Sequence, residues 1–434
     1  MKSPILLELD ITDLSHDGRG VAHHEGKAVF VSGALPGERA VVKLTQRHRH
    51  FDEAQVDSLL TRAATRVDPK CPHFGVCGGC ALQHLDPAEQ ILAKQRVLAE
   101  NFERIGKVEP RRWLPPLAGH PWGYRRKGRL SVKFVHKKGK ALVGFREENG
   151  RYVADLTRCE VLHPAVGERI EAIAGLIGSL QAVQDIPQIE IAAGDDTVAL
   201  IFRHLKPLVD TDRDALVAFG REHDLAIYLQ PGGNDSVHPL WPENPRLAFR
   251  IPSFDVELEF RPLDFIQVNS AMNERMISHA LDLLDVTATD RVLDLFCGLG
   301  NFTFPLARRA AQVVGVEGEH GLVERARANA ARNGIANVEY HVANLLEDQR
   351  ETPWARQGYD KILLDPPRSG AAAVFEYLPK KGTNRIVYVS CHPASLARDA
   401  GILVERHGFK LQSAGVMDMF PHTAHVESIA LFER

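Results

Sequence analysis

Arg291-Val-Leu-Asp-Leu-Phe-Cys-Gly-Leu-Gly-Asn-Phe302 reads as an apolar strand that runs into the turn Gly298-x-Gly300 and then a helix. Two glycines let the backbone bend tightly and approach a ligand at the carboxyl edge of a sheet, where doubly wound folds bind cofactors. Working outward, further buried strand signals lie at 312–316, 361–364 and 385–389, with helical segments between them. Strands alternating with helices predict a doubly wound, Rossmann-like α/β domain from about residue 261 to the end. Glu317 ends the second of these strands, where an acid can accept hydrogen bonds from ribose hydroxyls. Asp365, in Leu363-Leu-Asp-Pro-Pro-Arg368, ends another beneath a proline-stiffened loop, and Asn344 follows the third strand signal. Thr303 stands where a dinucleotide fingerprint would place its third glycine, which favours S-adenosylmethionine over NAD.

Upstream the chain changes character. Residues 1–62 read as short strands with turns at Asp17-Gly-Arg-Gly20 and Leu35-Pro-Gly-Glu38, the pattern of a small OB-like β-barrel, with Lys43, Arg47, His48, Arg49 and His50 as a basic face. Residues 63–260 are expected to form a central, mostly antiparallel β-rich domain, with strands at 128–135, 141–145, 189–201 and 254–260. Within it, Asp86-Pro-Ala-Glu89 opens a helix that Gly106 closes. Ile91, Leu98, Phe102 and Ile105 should form its buried face, and the helix can pack on the catalytic domain.

The whole chain has 434 residues, 44% apolar content and a net charge of −3, enough for two or three cored domains. Glu8 and Asp10 interrupt what a signal peptide would need as an apolar core, and no apolar run is long enough to span a bilayer, so a soluble cytoplasmic protein is expected. Charge is unevenly spread: between Arg104 and Arg151 fourteen Lys or Arg face three Glu, a local balance of +11, with Trp113, Trp122, Tyr124, Phe134 and Phe145 interleaved. That mixture suits phosphate contacts and base stacking, and points to nucleic acid as the partner.

Cys391 follows a buried strand and precedes a helix, where a helix N-terminus and nearby donors can activate a thiol. His422, His425 and Glu427 lie just before the final strand. Cys297, inside the glycine turn, reads as structural.

Taken together, "LDLFCGLGNFT", "LDPPRSGA", "YVSCHPASLARD" and "DMFPHTAHVESIALF", preceded by "DFIQVNSAMNERM", resemble the RNA uracil-5-methyltransferases. "CPHFGVCGGC", "YRRKGRLSVKF" and an N-terminal barrel similar to a TRAM domain make the likeness closest to the subfamily that methylates a uridine of 23S ribosomal RNA. The resemblance implies S-adenosylmethionine contacts at Gln267, Phe296, Asn301, Glu317, Asn344 and Asp365, a Cys391 nucleophile and a Glu427 base. His392 stands where Asn is common after the nucleophile, and Pro367-Arg368-Ser369 varies a loop often written with Ala. Three alternatives stay open: a transfer RNA uridine enzyme, an RNA cytosine-5 enzyme, and a silent RNA-binding iron-sulfur protein. No obligate protein partner is expected, and monomer is the default.

With Cys297 and Cys391 otherwise assigned, Cys71, Cys77, Cys80 and Cys159 make a set of four. Four thiolates suit zinc or iron-sulfur. The absence of paired Cys-x-x-Cys knuckles favours iron-sulfur, and the resemblance implies [4Fe-4S], with a role in shaping the basic region 125–140 for RNA.

Overall fold

The computed structural model describes residues 5–148, 150–378 and 382–434. At the N-terminus, six strands between Leu6 and Thr61 form one sheet. The eleven-residue strand Phe51–Thr61 pairs antiparallel with Arg39–Arg47 and parallel with Lys27–Ser32, and three register shifts bend it around a core that includes Ile11, Ala22, Val29, Val31 and Val42. Shifts of this kind let a long strand serve two neighbours, as barrel closure requires. Glu38 ties this sheet to the following segment: its fully buried carboxylate accepts from Arg66 Nε (2.5 Å) and Nη2 (2.7 Å) and from the N–H groups of Leu35 and Ala63.

The central region holds a second six-stranded sheet, built from Lys127–Val135, Lys140–Gly144, Gln188–Ala193, Val198–Arg203, Ala226–Gln230 and His238–Trp241. The run expected as one strand over 189–201 is a hairpin that turns at Gly194, whose N–H bonds to Thr197 O. All its pairings are antiparallel except Val198–Arg203 with Ala226–Gln230, which are joined through the helix Asp210–His223. Both of those strands are almost wholly buried, and a strand apolar on both faces needs a helix to cover it.

The third sheet has eight strands: β1 (Arg112–Trp113), β2 (Arg291–Leu295), β3 (Gln312–Glu317), β4 (Val338–Val342), β5 (Lys361–Leu364), β6 (Arg385–Ser390), β7 (Lys410–Met417) and β8 (Glu427–Glu433). Its order is β4-β3-β2-β5-β6-β8-β7-β1, parallel from β4 through β6, with β8 inserted antiparallel between β6 and β7. The order reverses at β2, so the loops after β2 and β5 flank the crevice. Helices α1 (Pro87–Asn101), α2 (Ser270–Leu284), α3 (His320–Arg332) and α4 (Pro393–His407) accompany the sheet.

Residues 87–117, counted in the sequence with the central region, lie on this third sheet: β1 extends its edge and α1 packs on α4. Asp86 caps α1 through Ala88 N (2.8 Å), with Pro87 at the first helical position. Ile91, Leu98 and Phe102 are buried as expected, but Ile105 is 48% exposed, against expectation. The helix ends in a π turn over Phe102–Gly106, whose wider winding carries residue 105 off the stripe set by 3.6-residue spacing. Gly106 and Gly401 meet there: a Cβ on Gly106 would stand 2.4 Å from Ala397 O, and one on Gly401 2.7 Å from Gly106 O, so both positions need glycine.

Among the described residues no helix is long and apolar enough to cross a membrane. The basic run is also less naked than its linear count. Arg126 pairs with Asp195, Arg129 with Glu190, and Lys138 and Lys140 both with Asp155, while Lys127, pushed down to about 8 by burial, donates to Pro262 O. Glu190 of the adjoining strand, with Asp155 and Asp195 of nearby loops, offsets part of the local +11.

Candidate active site

The glycine turn after β2 is shaped by three left-handed residues in succession of five: Phe296 (φ 65°), Gly298 (φ 55°) and Gly300 (φ 100°). A Cβ on Gly300 would lie 2.4 Å from the Phe304 ring, so the turn and the following helix fit only with glycine. Phe296, unlike glycine, pays a steric penalty for its left-handed backbone, and its N–H is held by Val316 O at 2.9 Å. Glu317, the last residue of β3, is oriented by backbone donors: its carboxylate accepts from Gly298 N (3.1 Å), Gly318 N (2.7 Å) and Glu319 N (3.1 Å). It bridges the two loops at the carboxyl edge.

Asn301 exchanges two hydrogen bonds with Asn273 of α2, Nδ2 to Oδ1 in each direction at 2.8 and 2.9 Å. Asn273 is buried and fixes which way the Asn301 amide faces. Gln267 is partly buried on the coil leading to Asn269, which caps α2 through Met272 N. Asn344 is exposed, and its side chain serves its own loop, donating to Glu347 Oε1 (2.8 Å) and accepting from Leu346 N (3.1 Å).

Under these loops sit two acids in apolar surroundings. Asp294, buried within β2, accepts from Thr303 Oγ1 at 2.6 Å, and burial pushes its carboxyl up to about 7, with the charges of Asp365 and Glu317 adding to the rise. Asp365, just past β5, is likewise raised to about 7 by burial. Asp294 was missed in the sequence although a lone acid inside an apolar strand is a visible signal.

Cys391 and Glu427 meet through strand register. Ser390 of β6 pairs with Ser428 of β8, and the Ser428 hydroxyl donates to Ser390 O at 2.9 Å. In an antiparallel ladder the next residue on one strand then lies beside the previous residue on the other, which brings Cys391 to Glu427. The antiparallel insertion of β8 therefore delivers the start of a strand to the edge where the parallel strands end. Against the expectation of a thiol activated by the helix N-terminus, burial pushes the Cys391 thiol up to about 11, with repulsion from Glu427 and Asp365 next and Arg368 opposing. Glu427 is 2% exposed; burial first and the Asp365 charge second hold its carboxyl well above the usual range.

His392, next to the nucleophile candidate, caps α4: its Nδ1 lies 3.3 Å from Ser395 N and 2.9 Å from Ser395 Oγ. An imidazole nitrogen thus does the acceptor work of an Asn oxygen at an N-cap. Ser395 Oγ donates onward to Arg368 O (2.6 Å), and Arg368 Nη2 lies 3.0 Å from His425 Nδ1. These bonds link the loop after β5, the head of α4 and the loop before β8.

Away from the crevice, Cys71, Cys77, Cys80 and Cys159 line one pocket, walled by Phe74, Phe145, Leu156 and Val161. Every one of the four thiols is raised by burial first, and Cys77 and Cys80 are driven further by the charges of the other cysteines, to about 11 and about 12. Among the described residues no three His, Cys, Asp or Glu side chains converge on a single metal-ion position. The thiols stand around a cavity instead. Four soft sulfur donors that destabilise one another as bare thiolates fit a cationic metal group, whose charge would reverse that penalty.

A family model described as tRNA (Uracil-5-)-methyltransferase matches residues 249–434, and a TRAM domain model matches residues 6–56. The chain is 62% identical over 427 residues to a 23S rRNA (uracil(1939)-C(5))-methyltransferase RlmD of Xanthomonas campestris pv. campestris, covering 98% of this chain and 96% of the relative. It is 62% identical over 430 residues to the protein of the same name in Stenotrophomonas maltophilia, covering 98% and 97%. Among solved structures it is similar to the Pyrococcus abyssi tRNA (uracil-54, C5)-methyltransferase in complex with S-adenosyl-L-homocysteine, with a TM-score of 0.75, 24% identity, and coverage of 98% and 99%. That last likeness shows a shared fold.

Proposed function

Since the chain belongs to the RNA uracil-5-methyltransferase family, we propose that it methylates C5 of a uridine in 23S ribosomal RNA, with S-adenosylmethionine as donor, Cys391 as nucleophile and Glu427 as base. The observation that carries this reading is the juxtaposition of Cys391 and Glu427 at the carboxyl edge, beside Asp365.

C5 of uracil is too weak a nucleophile to take a methyl group unaided. The Cys391 thiol loses its proton to solvent and the thiolate adds to C6, forming an S–C6 bond while the C5–C6 double-bond electrons move onto C5. S-adenosylmethionine would supply an electrophilic methyl group to that C5 electron pair, the C5–methyl bond forming as the methyl–sulfur bond breaks and the sulfur leaves as a neutral thioether. Glu427 then removes the proton left on C5, and the S–C6 electrons return to Cys391 as the ring regains its double bond. The high proton affinities fit these tasks. A thiolate of a weakly acidic thiol is a strong nucleophile, and a carboxylate in an apolar site is a strong base. A positively charged donor held by Asp365 would favour the ionised form of a neighbouring carboxylate such as Glu427. The uridine must leave any stack to bring C6 to the sulfur.

Gln267, Phe296, Asn301, Glu317, Asn344 and Asp365 are assigned to the donor. Glu317, oriented by three backbone N–H groups, is suited to ribose hydroxyls, and Asn301, locked by Asn273, to a polar group above the glycine turn. The N-terminal barrel and the central sheet are assigned to RNA. Cys71, Cys77, Cys80 and Cys159 are assigned to a [4Fe-4S] cluster, a reading supported by four thiols set around one cavity. The chain is assigned to act as a monomer.

Incubation with 5-fluorouracil-substituted 23S RNA and S-adenosylmethionine tests the chemistry, because fluorine at C5 blocks the last proton removal. A denaturation-resistant protein–RNA adduct is expected in the parent protein and none in Cys391→Ala. An equal adduct in both removes Cys391 from the mechanism.

A further inference from the structure

Glu427 opens β8 directly after the loop 418–426, and this loop is held from outside by the cysteine-bearing segment and α1. Gln90 of α1 is fully buried. Its Nε2 donates to Leu82 O (2.9 Å) and Leu85 O (2.8 Å) and lies 3.2 Å from His422 Nδ1, while its Oε1 accepts from His422 N (2.9 Å). His422 O in turn accepts from both Ala81 N and Leu82 N at 2.9 Å. One turn further along α1, Lys94 Nζ donates to Asp418 Oδ1 (2.7 Å) and Phe420 O (2.9 Å), with both ionic partners buried. His422 itself takes a left-handed backbone (φ 66°), and its ring stacks on Trp122 at 3.9 Å.

A non-glycine residue holds such a conformation only where its surroundings impose it. Here the imposing contacts are Gln90, the Ala81–Leu82 backbone and Trp122. None belongs to the eight-stranded sheet that carries Cys391. A buried amide with every polar atom engaged is costly to replace, since each lost bond strands a carbonyl or N–H without water.

We propose that Gln90 is a positioning residue for the final proton abstraction: it clamps the His422 loop to the segment just after Cys80 and so sets where the Glu427 carboxylate stands. The proposal rests on Cys391 and Glu427 acting as assigned above. It predicts a specific defect. With Glu427 misplaced, the S–C6 bond and the C5–methyl bond still form, but transfer of the C5 proton to Glu427 is slow, so the S–C6 bond does not break and the methylated adduct accumulates on ordinary RNA.

The test uses the full chain with its iron content measured, unmodified 23S RNA transcript, and radiolabelled S-adenosylmethionine. Gln90→Met should raise the steady-state, denaturation-resistant labelled adduct at least about tenfold over the parent, the size expected when one acid–base step is impaired. Affinity for S-adenosylmethionine should change less than about twofold, because no donor contact is touched. Slower methylation of free RNA with adduct at the parent's level is what a merely structural role gives, and it overturns the proposal. Glu427→Gln serves as the reference. If that variant accumulates no adduct, the base assignment fails and the proposal falls with it; if it does and Gln90→Met does not, only the clamp is wrong. Should Gln90→Met not fold, Gln90→Glu keeps the acceptor for His422 N while removing both donors to Leu82 O and Leu85 O, and parental adduct levels there overturn the proposal equally.

Discussion

The Cys391 thiol, pushed up to about 11 by burial and by the Glu427 and Asp365 charges, is protonated through the neutral range in the ligand-free protein. A raised folded value means that the reactive anion appears only as pH climbs toward it. Iodoacetamide labelling of Cys391, followed by peptide mass, should therefore rise close to tenfold per pH unit from about 7 to about 10. A plateau near pH 8 would show an already activated thiolate. Cys391, Glu317 and Asp365 were legible in the sequence because each stands where an apolar strand stops. Asn273 and Gln90 were not: a polar residue on a helix reads as solvent-facing until the fold shows what buries it.

At the scale of elements, the turns do more than the strands. The glycine turn, the loop after β5 and the loop before β8 orient the side chains that the β6–β8 register and the strand ends bring together. One buried ion pair ties the barrel to the segment that follows it. Burial alone would raise Glu38, but two hydrogen bonds from Arg66 and the Leu35 and Ala63 N–H groups overcome this and hold it below the usual carboxylate range. A depressed folded value contributes stability that is present above pH 4.5 and is lost as pH falls through the folded value. Arg66→Ala leaves that carboxylate buried without its partner and should destabilise the barrel by about 3–5 kcal/mol at pH 7. The gap between variant and parent should narrow below pH 4.5, as urea unfolding at two pH values would show; a gap independent of pH would mean that Arg66 acts by packing alone. Ile105 marks the limit of periodicity as a guide: the π turn that displaces it exists to seat Gly106 against Ala397, a contact of two distant segments.

For the molecule as a whole, the cysteine segment joins the central region through Cys77 and Glu147 to the loop before β8 through His422. Oxygen-free preparations should be brown and carry about four irons per chain. A colourless protein with one zinc and full activity would refute the cluster. If the group chiefly shapes this junction, Cys80→Ser should lose iron and weaken RNA binding together.

The sequence by itself pointed to a barrel, a β-rich region and a doubly wound domain, to the cofactor edge, and to Cys391 and Glu427 as candidate reacting residues, because strand-to-turn transitions, glycine spacing and ordered motifs are local. Tertiary structure alone decided that Cys391 and Glu427, 36 positions apart, become neighbours through the β6–β8 register. It alone seated α1 and the cysteine segment on the loop before Glu427, and set the acids of an adjoining strand and nearby loops against the basic run. The physical reason is the same in each case: burial, register and paired charge are properties of chain segments that meet only after folding.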